Sequence, residues 1–300
     1  MGALNGKVAI VTGAGQGVGR CHADLLAALG ASVVVNDLSE LADEVAEAIV
    51  AEGGQAVAHI GSVSDWVAAE ELVHVAVDAF DDLHILVNNA GFIRDAMSFA
   101  MTEEQFDSVV DVHLKGHFAP SHFAAAYWRT QVKATVARDG EGARLVPRRI
   151  INTSSESGLF GGPGQSNYGS AKGGIVMMTL IQARELGRLN VTANCIAPRA
   201  RTPMTDSNPK FAKPDAGFDK YDPANVSPMV AWLASDDAGD VSGQVFIVLG
   251  DQIHRMQPAQ IASSVRAGDH RWTVEEISAR RAELFADVAD GVPAWGGPPM

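Results

Sequence analysis

The 300 residues carry a formal charge of −13, a surface that repels phosphate backbones and argues against a nucleic-acid partner. With 47% hydrophobic and 20% charged residues the chain is too apolar to be disordered, and no apolar run reaches the length of a membrane span. The length allows one large domain or two small ones. In chain order, "KVAIVTG" is a short apolar run ending in glycine, followed by the helical pattern "RCHADLLAALGA", which closes on Gly30. "SVVVND" (32–37) is a second buried-strand run, "LADEVAEAIVAEGG" a second helix with a glycine stop, and "AVAHIGSV" a third strand. The helix "DWVAAEELVHVAVDAF" and the strand "HILVNNAG" continue the alternation.

Beyond it, a long helix is expected from about Glu103 to Thr130, then the strand "RIINTSS" (149–155) and a helix starting near Ser166. "VTANCIAP" (191–198) and "QVFIVLG" (244–250) read as the sixth and seventh strands. Strands alternating with helices of this length predict right-handed βαβ units on a parallel sheet, and the nearly unbroken apolar strands predict helices on both faces. Two stretches break the rhythm. Residues 131–148, basic and containing glycine, read as a surface insertion; residues 199–227, irregular and polar, read as a functional lid or a disordered loop. The reading is one domain over 1–250 with a C-terminal extension over 251–300. Two cysteines, Cys21 and Cys195, without metal-ligand spacing suggest free thiols in a reducing compartment. No signal pattern opens the sequence, so a cytoplasmic location is expected.

The stretch "TGAGQGVG" (12–19) falls where the first strand ends and the first helix begins. A helix N-terminus presents free N–H groups and partial positive charge, which suits a pyrophosphate, and glycine lets the backbone approach it. Gly13, Gln16, Gly17, Val18 and Gly19 are therefore candidate cofactor contacts. Asp37 ends the second strand 18 residues after Gly19. Its carboxylate can accept hydrogen bonds from an adenosine ribose and would repel a 2′-phosphate; capping the next helix is the alternative role. No basic residue interrupts the glycine turn and Asn36 is neutral, which favours NAD over NADP.

In "SNYGSAK" (166–172), Tyr168 and Lys172 stand four apart and share one helix face, so an ammonium can lie beside a phenol. The same spacing describes an ordinary helix pair. Taken together and in order, "TGAGQGVG", "NNAG", "SNYGSAK" and "CIAP" resemble the short-chain dehydrogenase/reductase family over roughly residues 5–250. The resemblance implies a Rossmann-type, doubly wound α/β sheet of about seven strands. It also implies an active centre of Tyr168 as proton-transfer group, Lys172 lowering its pKa and holding the nicotinamide ribose, and Ser155 on the substrate oxygen. Ser154 is the neighbour that competes with Ser155; the family's spacing, 13 residues before the tyrosine, selects Ser155.

Further implied contacts to the cofactor are Ser62 and Val63 near adenine, Asn89, Ala90 and Gly91 along the nicotinamide side, and Pro198, Ala200 and Thr202 beside the carboxamide. The chain departs from the family pattern where Asn is usual and His113 stands in "VHLKG"; His113 is either a proton-relay member or a satisfied core residue. It departs again where Pro-Gly is usual and Pro198-Arg199 stands. Arg199, Arg201, Lys210 and Lys213 either meet a coenzyme A phosphate or are solvated loop charges. Phe160 is either an apolar wall of the substrate cleft or core.

"VVVND", "NNAGFIRDAMSF", "DVHLKGHF", "INTSSESGLFGGPGQSNYGSAK" and "CIAPRARTPMT" look more narrowly like the (3R)-hydroxyacyl-CoA dehydrogenase part of multifunctional β-oxidation enzymes and their stand-alone bacterial relatives. The expectation is an NAD-dependent oxidoreductase interconverting a secondary alcohol and a ketone, on a 3-hydroxyacyl thioester or, as the runner-up, a hydroxysteroid. A non-catalytic dinucleotide-binding regulator is the rival class, disfavoured because Ser155, Tyr168 and Lys172 are all present. The resemblance also implies a homo-oligomer, commonly a tetramer, packed through the helices carrying residues 103–130 and 166–187.

Overall fold

The computed structural model describes residues 2–202, 209–286 and 292–298. Strand β1 (Val8–Thr12), helix α1 (Gly17–Ala28), β2 (Ser32–Asp37), α2 (Leu41–Ala51), β3 (Gln55–Ile60), α3 (Trp66–Phe80) and β4 (Ile85–Asn88) form the first half. There follow α4 (Glu103–Val110), a π-helical turn (Asp111–Lys115), α5 (Gly116–Asp139), β5 (Arg148–Thr153), α6 (Glu156–Phe160), α7 (Ser166–Leu186) and β6 (Val191–Pro198). Helix α8 (Ser227–Ala234), β7 (Val245–Leu249) and β8 (Gln252–Arg255) complete the sheet. Its order is β3-β2-β1-β4-β5-β6-β7-β8; the first seven strands are parallel and β8 is antiparallel to β7.

Period-two alternation explains why the strands read as apolar throughout. Ala9 and Val11 of β1 join Val33, Val35, Ile85 and Val87 in a core closed by α1, α2 and α8. Val8 and Ile10 face the other way and join Val34, Leu86 and Ile150, under Leu72 and Val73 of α3 and Trp128 of α5. Both faces of β1, β2, β4 and β5 are therefore buried. Chain order reverses between β1 and β4, so the crevice beyond their C-terminal ends is where an open α/β sheet binds ligand.

Three sequence expectations change. The helix expected to end at Thr130 runs on to Asp139 and stops at Gly140 (φ 86°), so the excursion predicted for 131–148 is confined to residues 140–147. "QVKATVARD" holds no breaker, and its basic residues are those of a solvated helix face. The same expected helix is interrupted by the π turn at Asp111–Lys115, a feature that often marks a functional site. Lastly, residues 252–255, expected in the extension, add an eighth strand through a two-residue hairpin with Gly250 at φ 55°.

The chain divides into two units at Met256/Gln257. The second contains the short helices α9 (Val274–Ala279), opened by a Thr273–Glu276 capping box, and α10 (Arg281–Leu284). Of the expected lid, residues 203–208 lie outside the described ones; its flanks contain 3-10 turns at Pro209–Phe211 and Pro223–Val226 and a buried Tyr221. Among the described residues no helix is long and apolar enough to cross a membrane.

Candidate active site

The glycine turn joins β1 to α1, and Gln16, the exposed N-cap of α1, makes no side-chain capping bond. The first N–H groups of the helix are thus left for a ligand, and an anion is what they favour. The turn is tight: a Cβ on Gly19 would lie 2.2 Å from the Gly13 carbonyl oxygen and 2.4 Å from Asn89 Nδ2. Asn89 itself braces the turn, with Nδ2 donating to the carbonyls of Thr12 (3.0 Å) and Gly13 (3.1 Å), while Thr12 Oγ1 accepts from the Asn89 and Ala90 N–H groups. Val18 packs in the core, so only its backbone faces a ligand.

Asp37 Oδ2 accepts from the Gly15 N–H (3.0 Å), and Oδ1 from the N–H and hydroxyl of Ser39. The N-cap of α2 is Glu40, so Asp37 orders the turn before that helix and points its half-buried carboxylate at the glycine turn. Ser62 pairs with Ser64 through their hydroxyls (3.1 Å). Val63 is buried against Gly116 of α5, where a Cβ would lie 2.6 Å from Val63 Cγ2, so its side chain does not reach the crevice. A dinucleotide fits this set: uncapped helix N–H groups, a close-packed glycine backbone and a carboxylate at the end of β2.

Across the crevice, Ser155 ends the β5 segment as the N-cap of α6, and α7 brings Tyr168 and Lys172 beside it. Ser154 is buried and spent, its hydroxyl donating to the Lys172 carbonyl (2.8 Å), whereas Ser155 hydrogen-bonds the Tyr168 side chain. Lys172 is 2% exposed; Nζ donates to the Thr153 carbonyl (2.6 Å) and lies 5.6 Å from the Tyr168 ring centroid. Burial lowers its pKa to about 7. The family resemblance implies that Lys172 pulls the phenol pKa down. Instead the Tyr168 pKa is raised, by burial first, with the Ser155 hydrogen bond opposing and Asp95 adding to the rise. The cause is desolvation of the phenol itself, which the Ser155 hydrogen bond offsets only in part.

His113, carried by the π turn, is 1% exposed and packs edge-on to Tyr168, with ring centroids 5.0 Å apart. Nε2 lies 2.6 Å from the Phe92 carbonyl oxygen and 3.1 Å from the Phe92 nitrogen. One ring nitrogen cannot donate and accept at once, and the shorter contact identifies Nε2–H as the donor. Nδ1 is then an unprotonated, buried acceptor without a partner among the described residues. Burial, followed by the Lys172 charge, lowers the His113 pKa to about 3, so the ring stays neutral. Gly91 makes room for it, since a Cβ there would lie 2.0 Å from His113 Cε1.

One neighbour of the site escaped the sequence reading. His117 is fully buried one turn after His113; its Nε2 accepts from the Thr153 N–H (3.4 Å) and its pKa is held well below the ordinary value by burial. The four-residue spacing of the two histidines was the available signal. On the far side, Pro198 ends β6, Ala200 turns into the core and Thr202 is half-buried. Arg199 and Arg201 do not serve as solvated charges: Arg199 forks onto Glu156 (2.7 and 2.6 Å) and Arg201 pairs with Asp219. Both guanidiniums are paired with carboxylates. Lys213 is exposed, and the Lys210 side chain lies outside the described residues. Phe160, half-buried, ends α6.

The family model described as short chain dehydrogenase matches residues 7–213, covering the glycine turn, Ser155, Tyr168 and Lys172. The chain belongs to the short-chain dehydrogenase family. It is 46% identical over 292 residues to the hydroxyacyl-CoA dehydrogenase ChsB1 of Mycobacterium tuberculosis, covering 94% of this chain and 90% of the relative. It is 38% identical over 246 residues to the peroxisomal multifunctional enzyme type 2 of Drosophila melanogaster, covering 79% of this chain and 38% of that longer protein. The crystal structure of a short chain dehydrogenase from Mycobacterium avium superposes with a TM-score of 0.87 at 45% identity, covering 99% of this chain and 100% of the other. As a short-chain dehydrogenase it is an oxidoreductase that acts on CH–OH groups with a nicotinamide dinucleotide, NAD or NADP.

The low pKa of Lys172 has a consequence for stability. Between about 7 and the unfolded value, the unfolded chain binds the proton that the folded chain has released, so folding stability falls from its high-pH level as pH drops through that window. In the cofactor-free protein, urea unfolding at pH 7.5 and 9.5 is expected to show wild type gaining on Lys172→Met at the higher pH. An unchanged difference would mean that the buried amine keeps an ordinary pKa.

Proposed function

We propose that this short-chain dehydrogenase uses NAD to interconvert the hydroxyl and keto forms of a 3-hydroxyacyl thioester. The observation that carries the chemistry is the convergence of Ser155, Tyr168 and Lys172 on one side of the crevice, opposite the glycine turn. The thioester reading rests on the 46% identity to a relative named as a hydroxyacyl-CoA dehydrogenase. The preference for NAD rests on Asp37, whose carboxylate stands at the glycine turn and would repel a 2′-phosphate.

When bound, the dinucleotide supplies the hydride acceptor or donor. The chain's own residues handle the oxygen and the proton. Ser155 donates a hydrogen bond to the substrate oxygen and keeps it within reach of the phenol. Tyr168 takes the hydroxyl proton during oxidation and returns it during reduction. Lys172 holds a proton with a pKa of about 7, so near neutral pH it can present a cation beside the developing phenolate and can also release that charge. His113 offers Nδ1 as a neutral acceptor for a relay toward Lys172, with Nε2 anchored on Phe92. Gly13, Gln16, Gly17, Val18 and Gly19 would hold the pyrophosphate through their backbone, and Ser62 and the Val63 backbone would meet the adenine. Asn89, Ala90, Gly91, Pro198, Ala200 and Thr202 would hold the nicotinamide.

Tyr168→Phe is expected to lower turnover by about 10²–10⁴-fold, the usual share of general acid–base catalysis, while dinucleotide binding by fluorescence titration stays at the wild-type value. Retained turnover would overturn the assignment. Asp37→Ala should weaken NAD more than NADP; equal kcat/KM losses for the two would remove the basis for the preference. NADH formation measured side by side with a (3R)-hydroxyacyl-CoA and a hydroxysteroid tests the substrate, and turnover of the steroid alone would reject the thioester.

A further inference from the structure

Glu156 immediately follows Ser155 and is the first residue of α6; Arg199 immediately follows Pro198 at the end of β6. Although 43 residues separate them in sequence, their side chains meet as a two-pronged ion pair, Nε to Oε2 at 2.7 Å and Nη2 to Oε1 at 2.6 Å. Both are withdrawn from water, with the Arg199 side chain 4% and the Glu156 side chain 12% exposed. A buried pair of this kind is weak evidence for stability, because an apolar pair of similar volume is often as stable, whereas its planar fork fixes geometry. Its position therefore matters more than its energy.

Three further contacts show what that geometry fixes. Arg199 is itself held to the sheet, its N–H donating to the Val248 carbonyl of β7 (2.9 Å). On its other side α6 is pressed against α7, since a Cβ on Gly158 would lie 2.5 Å from the Lys172 carbonyl carbon and 2.6 Å from the Gly173 nitrogen. Ser157, the second residue of α6, hydrogen-bonds Gln165 just ahead of α7. Helix α6 has five residues and little core of its own, none of them being buried. Without the ion pair its tie to β6 would run through the β5 strand end, where the Ser154 N–H donates to the Ile196 carbonyl (2.7 Å), and not through α6 itself.

We infer that Glu156 and Arg199 are positioning residues, which lock the N-terminus of α6 to the end of β6 and so set the Ser155 hydroxyl against Tyr168 and against the strand end that borders the nicotinamide. This deepens the function proposed above and rests on its assignment of Ser155. The pair acts through Ser155. A hydroxyl misplaced by about 1 Å can cost on the order of 10²-fold in rate.

The test compares Glu156→Leu/Arg199→Met, which replaces the pair by apolar side chains of similar size, with Glu156→Gln, Arg199→Lys and Ser155→Ala. The substrate is the alcohol that wild type oxidises, the (3R)-hydroxyacyl-CoA or the hydroxysteroid. The apolar pair is expected to keep the wild-type Tm and dinucleotide Kd within about twofold while kcat falls by about 10–100-fold and KM changes little. Arg199→Lys, which keeps the charge but loses the fork, should fall between it and wild type. Wild-type kcat in the apolar pair overturns the inference while leaving the reading of Ser155 intact, provided Ser155→Ala is impaired. Wild-type kcat in Ser155→Ala overturns both. If the apolar pair fails to fold, Glu156→Gln carries the same comparison, and equal losses of Tm, Kd and kcat in that variant would reduce the pair to a structural role and overturn the inference.

Discussion

The contact between Lys172 Nζ and the Thr153 carbonyl, 2.6 Å long and almost sealed from water, constrains everything around it. An ammonium in that place has lost its hydration and can be retained only by dipoles or opposite charge, or by giving up its proton. The sheet supplies a carbonyl at the end of β5, and burial brings the amine to a pKa of about 7, near the pH at which a proton carrier works best. Two imidazoles nearby are held neutral by the same burial, with the lysine charge as the second cause for each. The site is thus a desolvated pocket in which one cation is tolerated and its neighbours are kept uncharged.

The opposite wall is built by a different rule. At the glycine turn it is backbone that must come close, so the relevant property of Gly19 is the side chain it lacks, and Asn89 spends its amide on tying two backbone carbonyls together. Asp37 spends one carboxylate oxygen on the same turn. Two walls with these unlike requirements are brought face to face because the parallel sheet points every strand end the same way and reverses order between β1 and β4.

Much of this was legible in the sequence because it is local. The central parallel strands are runs buried on both faces, and Tyr168 and Lys172 are one helical turn apart. β8 was missed because four mostly exposed residues, Gln252–Arg255, have no apolar run to show. The continuation of α5 was missed because Lys133 and Arg138, read as marks of a surface loop, are equally at home on a solvated helix. The direction of the Tyr168 shift was beyond reach, since it depends on how far the folded chain desolvates the phenol. The partnership of Glu156 with Arg199 spans 43 residues, and no periodicity reports a contact at that distance.

The departures from the family pattern make sense under the constraint at Lys172. Where an amide is usual, an imidazole stands beside the buried amine, and a protonated imidazole there would set two desolvated cations against each other. His113 avoids this by remaining neutral, its N–H spent on Phe92 and its lone pair facing inward. Where glycine is usual after the proline, a guanidinium stands instead, a group that does not deprotonate in proteins. Neutrality is closed to Arg199, and compensation is what the structure shows: a carboxylate on the residue next to Ser155 accepts from both Nε and Nη2. The two substitutions thus meet one electrostatic demand by the two routes open to their chemistry, one giving up charge and the other pairing it, and the second route also ties the start of α6 to the end of β6.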